Sequence, residues 1–177
     1  MSNEAFRARK IIMRMIENIN KDWLFAPEEL DRDANDSNFT GITLPHTNKL
    51  FSQRYVDNTT YQFVSTYRKY LNIPEDAIGK RIVIQFDGVM LMSTVYINDK
   101  LLGVHKGGYT PFIFEITEHV KAGENILTVY VDATEREDIP PYGELVDYLT
   151  FGGIYRDVTM HIFDTIHIVS AFAKPVN

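Results

Sequence analysis

Short segments in which apolar and other residues alternate recur along most of this chain, and they confine it to a sheet-built fold. Arg81-Ile-Val-Ile-Gln-Phe86 places Ile82, Ile84 and Phe86 on one face, the period-2 pattern of a half-buried strand. Thr94-Val-Tyr-Ile97 and Leu101-Leu102 flank Asn98-Asp-Lys, a tight-hairpin signal because Asn and Asp tolerate positive φ. Phe112, Phe114 and Ile116 alternate again. After a short turn with some helical character at Glu118 to Ala122, Gly123-Glu-Asn125 leads into Ile126-Leu-Thr-Val-Tyr-Val131. Ile154 to Phe163 and Thr165 to Phe172 are expected to supply two more strands. Many short strands with regular turn signals predict an all-β antiparallel sandwich.

The 177 residues suit one large β domain, and a hydrophobic content of 45% is enough to fill its core. A formal net charge of −6, with no Lys/Arg cluster beyond the terminal Arg7 to Arg14, argues against nucleic acid as a partner. Cysteine is absent, so stability rests on burial. No apolar run approaches the ~20 residues that span a bilayer, which excludes a helical membrane anchor within the sequence. Arg14 and Glu17 interrupt any signal-like apolar core, and the expectation is a cytoplasmic chain. The sequons at Asn35 and Asn58 carry no weight without secretion.

Two stretches lack the strand pattern. Ala26 to Thr40 is polar, acidic and aperiodic, and is read as loop. Thr134 to Gly153 is a segment of about twenty residues with paired prolines, acids and tyrosines, a length that compact domains reserve for function. It runs into Phe151-Gly-Gly-Ile-Tyr-Arg-Asp-Val158. Upstream stand Leu44-Pro-His-Thr47, Phe86-Asp-Gly-Val89, Val95-Tyr-Ile-Asn98 and Gly103-Val-His-Lys-Gly-Gly-Tyr-Thr-Pro-Phe112.

In that order and spacing these motifs resemble the N-terminal sugar-binding domain of family 2 glycoside hydrolases, the β-galactosidase and β-glucuronidase group. The resemblance runs from Ile16-Glu-Asn-Ile-Asn-Lys-Asp-Trp-Leu-Phe25 to Ile168. It implies an antiparallel jelly roll of the galactose-binding-domain kind over residues 16–165, behind an N-terminal arm at 1–15. Residues 166–177 then lead toward an immunoglobulin-like domain, with a catalytic TIM barrel as a further domain of the parent enzyme.

Retaining glycosidases hold two carboxyl groups about 5–5.5 Å apart. The resemblance places both on the barrel, a fold of about 250 residues whose pattern is absent here. The chain is therefore expected not to hydrolyse glycosides by itself. Its expected contribution is contact with a β-glycoside sugar. The resemblance assigns that contact to Asp147, ahead of the Gly-Ile-Tyr-Arg-Asp motif, with Asn58 in a companion role. The alternative makes Asp147 a solvated loop acid and Asn58 a turn residue. Tyr142 and Tyr148 lie in the long segment and, with Tyr109 and Phe151, could stack on a pyranose; most aromatics in a β-rich chain serve the core.

The remaining motif residues are read as structural. Arg156 and Asp157 tie their strand to neighbouring loops or to a following domain. Gly107-Gly108 and Gly152-Gly153 permit backbone angles closed to other residues, and they lack the spacing of a phosphate loop. Trp23 is a core anchor and His46 a loop hydrogen-bonding residue. The five histidines lack zinc-ligand spacing, so no metal or other cofactor is expected from the residues. An alkali or alkaline-earth ion near Asp147 is implied by the resemblance alone. Two rival readings remain: a free-standing carbohydrate-binding module using its own sandwich face, and a pure scaffold domain.

Overall fold

The computed structural model describes residues 14–50, 60–143, 150–168 and 171–175. Its ten strands among those residues form two antiparallel sheets stacked as a jelly-roll sandwich. The smaller sheet has the order β1 (Met15–Asn18), β10 (Val158–Phe163), β5 (Arg81–Phe86), β8 (Phe112–Glu115). The larger runs β3 (Thr40–Ile42), β2 (Trp23–Ala26), β4 (Val64–Ile73), β9 (Gly123–Asp132), β6 (Met92–Ile97), β7 (Lys100–Lys106).

The core lies between the sheets and follows from the alternation. Ile82, Ile84 and Phe86 of β5 face Tyr67, Val95, Leu127 and Val129, all almost fully buried. Trp23 fills one side and donates its indole N–H to the Ile19 carbonyl at 2.7 Å. A polar handle with a partner is the usual condition for burying so large a ring. Between β7 and β8 the gap is closed by a stack of His105, Phe112 and Phe86, with ring centroids 4.0 and 4.9 Å apart. The β6–β7 turn is the expected tight hairpin, with Asn98 and Asp99 at φ 45° and 66°. Asn98 also bonds Asn125 and the Ile126 N–H, which stitches this turn to the start of β9.

One layer is less obvious from periodicity. Ala26, Thr66, Arg68 and Thr128 belong to the outer set of the larger sheet, yet all are buried. The polar stretch 27–39 covers them. Thr66 bonds the Glu28 carbonyl and the Leu30 N–H, and Tyr130 donates to the Leu30 carbonyl at 2.8 Å. Arg68, 3% exposed, donates to the carbonyls of Ala34 and Arg32 and to Asp36, with Phe39 packed over its guanidinium. This loop includes a 3-10 turn at Asp36–Asn38 and is pinned at every few residues. Its backbone polar groups find partners in the sheet side chains, which lets a sequence without periodicity hold one shape.

Two expectations about the end of the chain are corrected. The last strand begins at Val158, not Ile154, because Gly153 bridges Met90 and the next residues cross toward other loops. Residues 165–168 and 171–172 form no strand. β10 is already flanked by β1 and β5, so the alternation of Ile166 and Ile168 has no sheet edge to join there; both are over 80% exposed. Met15, assigned to the arm, starts β1.

Candidate functional site

Three segments converge on Met90 and Leu91 at one end of the sandwich. Met90 and Gly153 exchange two backbone hydrogen bonds of 3.0 Å, an isolated antiparallel bridge. Ile139, 1% exposed, packs with Met90 and Leu91, flanked by Met92 and Tyr155. Gly108 lies so close that a Cβ there would fall 2.4 Å from the Met90 thioether. The segment that begins at Thr134 is thus anchored soon after it starts. It folds back on itself through the Arg136–Ile139 bridge, the Arg136–Asp138 contact at 3.1 Å and an ion pair from Lys106 to Asp138. Tyr142 is 41% exposed and donates its hydroxyl to Glu137 at 3.1 Å.

The segment is anchored again where it ends. His46 N–H donates to the Ile154 carbonyl and Asn48 N–H to the Gly152 carbonyl, each at 2.8 Å. A Cβ on Gly152 would meet the Ala133 Cβ at 2.4 Å. On Gly153, at φ 121°, it would meet the His46 carbonyl at 2.5 Å and the Tyr67 hydroxyl at 2.8 Å. The expectation that all four paired glycines supply unusual backbone angles is corrected. Gly107 and Gly153 have positive φ; Gly108 and Gly152 do not, and are glycine for want of space.

Beneath this joint the buried Tyr67 meets the half-buried His46. The Tyr67 hydroxyl sits 2.9 Å from His46 Nδ1 and also meets the Ile154 backbone N–H. Burial raises the Tyr67 pKa and lowers that of His46, so both groups are held neutral. A neutral imidazole accepting the Tyr67 proton satisfies both. Phe25 packs on both rings, with centroids 4.5 and 5.0 Å away. Asn48 is 5% exposed and donates to the Tyr61 carbonyl, while its Oδ1 finds no partner among the described residues.

The motif residues beyond the glycines divide their work. Tyr155 donates to the Gly108 carbonyl, which joins the glycine pairs across the rim. Asp157 accepts from Asn20 Nδ2 at 2.8 Å, and its carbonyl accepts the Asp87 N–H. Arg156 is exposed, with its guanidinium 5.4 Å over the Tyr155 ring. With Pro45, Asp87 and Pro111 these three line a cleft of about 430 Å³. Trp23 is fully buried away from the rim, in the core.

Of the residues assigned to sugar contact, Asp147, Asn58 and Tyr148 lie outside the described residues, and Tyr142 stands on the rim. Tyr109 and Phe151, 44% and 39% exposed, each stand one residue from an anchored glycine. The rim therefore combines half-exposed aromatics with the carboxylates of Glu135 and Glu137, a combination suited to a polyhydroxylated ligand. The sequence reading missed Met90, Leu91, Ile139, Asn48 and Tyr67. Ile139 had a usable signal: it is a lone aliphatic residue between acids and prolines.

Two outcomes follow from this geometry. Gly153→Ala is expected to cost about 3 kcal/mol, since it combines strained φ with two close contacts. Gly41→Ala, with nothing within 4 Å of the added Cβ, is expected to stay within about 0.5 kcal/mol. Equal urea midpoints for the two variants would contradict the account. Second, His46 resists protonation in the fold, so below the ordinary histidine value of about 6.5 the unfolded chain binds more protons. Stability therefore falls from pH 7 toward pH 5 and levels off once the pH drops below the folded value. Burial lowers His105 and His161 too, and they add to this loss. His46→Gln should shrink the loss measured by denaturant titration at the two pH values; an unchanged loss would remove His46 from it.

The family description "Glycosyl hydrolases family 2, sugar binding domain" matches residues 26–163. A β-galactosidase of Thermoanaerobacter pseudethanolicus is 47% identical over 165 residues, covering 90% of this chain and 22% of that protein. A β-glucuronidase of Formosa agariphila is 36% identical over 173 residues, covering 88% of this chain and 18% of that protein. Among solved structures, the β-glucuronidase of Bacteroides uniformis superposes with a TM-score of 0.76 at 36% identity, covering 85% of this chain and 18% of that one. The chain thus spans about a fifth of the length of these relatives. The chain belongs to the sugar-binding domains of the family 2 glycosyl hydrolases.

Proposed function

We propose that this domain forms one wall of the substrate pocket of a β-galactosidase- or β-glucuronidase-like enzyme and leaves catalysis to another domain. The observation that carries the reading is the double anchoring of residues 134–153. Ile139 and the Met90–Gly153 bridge fix both ends of the segment to the sandwich. Anchors on either side of residues 144–149 support the reading, because a substrate contact needs its side chain held at a defined place. Tyr142 and Phe151 flank the part that would reach the sugar, and Asp147 within it is the assigned acceptor for a sugar hydroxyl. A carboxylate suits that task because charge-assisted hydrogen bonds are short and strong.

The partners of this reading are the β-glycoside and the other domains of a longer enzyme. Support for the latter comes from relatives about five times as long. Ile166, Ile168 and Phe172, 81%, 82% and 92% exposed, make an apolar segment leaving the sandwich, fit to be covered by a following domain.

The test is Asp147→Ala in a full-length enzyme carrying this domain. Loss of one charge-assisted bond that tightens in the transition state costs about 2–4 kcal/mol, so kcat/KM is expected to fall roughly 30- to 1,000-fold. The melting temperature should stay unchanged. Normal kinetics in the variant would remove the segment from the pocket and leave the domain a scaffold.

A further inference from the structure

The pinned loop 27–39 does more than cover the larger sheet. Between its residues 29–33 and the outer surface of β4, β9 and β6 it leaves an open groove of about 1000 Å³. The floor holds Tyr96 and Tyr130 at right angles, with centroids 5.9 Å apart, and Thr94 beside them. Arg32 forms part of the wall, lying 4.6 Å over the Tyr96 ring and bonded to Asp99 at 3.0 Å. Asp132 stands at the end of the groove nearest the Met90 rim.

We propose that this groove is a second binding site, and that its ligand is a neutral oligosaccharide. The choice of ligand follows by elimination and by fit. Glu29, Asp31, Asp33, Asp99 and Asp132 outnumber Arg32 and Arg136, which pairs with Asp132 at 3.7 Å, so an anionic ligand is repelled. No three acidic or histidine side chains among the described residues are placed to hold a metal ion. A peptide over the sheet face would meet ladder hydrogen bonds that are already used, so strand addition is closed to it. Sugar hydroxyls need only side-chain donors and acceptors, which the carboxylates and Arg32 supply. The Tyr130 ring, and the part of Tyr96 that Arg32 leaves uncovered, offer apolar surface to the C–H faces of a pyranose.

The described lining of the site stands on β4, β9, β6 and the Arg68-held loop. Its test reads binding through Thr94 and Tyr96, whereas the pocket wall proposed above is tested through Asp147, so either can fail alone.

The experiment is calorimetric titration of the 177-residue chain with cellotetraose, β-1,4-galactotetraose, β-1,4-mannotetraose, tetragalacturonate and tetralysine. At least one neutral tetraose is expected to bind with a dissociation constant below about 1 mM. Thr94→Gln fills the half-buried centre of the floor without adding charge and is expected to weaken that binding at least about tenfold at unchanged melting temperature. Tyr96→Ala provides the second variant, with the same loss expected. Three results would each overturn the proposal: no binding of any neutral tetraose, binding unaffected by both substitutions, or tetragalacturonate or tetralysine binding more tightly than every neutral probe.

Discussion

The two hydrogen bonds between Met90 and Gly153 tie together parts of the chain that are otherwise distant. They bring the stretch that ends at Gly153 back to the entrance of β6. Nothing larger than hydrogen fits at Gly153, because the His46 carbonyl and the Tyr67 hydroxyl already occupy the space. The bridge thus depends on a glycine, and the His46–Tyr67 pair packs beneath it. Burial of Tyr67 and partial burial of His46 favour the neutral form of each, which ties the joint to proton binding. Around it, Ile139 and Gly108 complete a small apolar hub separate from the main core.

The same sandwich uses a different device on its outer face. There Arg68 lies buried and directs its donors at two carbonyls and the Asp36 carboxylate of the 27–39 loop. A buried guanidinium is tolerated because most of its donors are engaged, with Nε the exception. One joint therefore shapes the rim at the end of the sandwich, and one clamp shapes a groove along its side. Both hold irregular chain in place by giving its backbone groups specific partners.

Much of the fold was legible in the sequence because alternation reports directly on strands. Ile82, Ile84 and Phe86 took the inner positions their spacing implied, and Asn98-Asp99 made the turn their chemistry favours. Thr165 to Phe172 shows where the signal fails. Alternation states that a segment fits a sheet, and it does not state whether an edge is free. The 27–39 loop shows the converse, since its order comes from side chains in β4 and β9 that no local pattern reveals. At the rim, the glycine pairs were visible as motif residues, but their partners were not. Met90, Asn48 and Tyr67 come from three separate stretches and meet only after the sheets pack. Asp147 and Asn58 were named through family resemblance and Tyr148 as an aromatic of the long segment, and all three lie outside the described residues.

Native-state hydrogen exchange at the Met90 and Gly153 amides tests the central claim, that the rim is a rigid part of the sandwich. If the bridge is integral, both amides exchange only through global unfolding, with the same free energy as central β4 and β9 amides such as Tyr67 and Val129. The His46 and Asn48 amides, which bond Ile154 and Gly152, should fall in the same class. Exchange of Met90 and Gly153 through local opening, at free energies typical of exposed loops, would contradict the account. The segment that ends at Gly153 would then have no fixed base from which to present a side chain to a sugar.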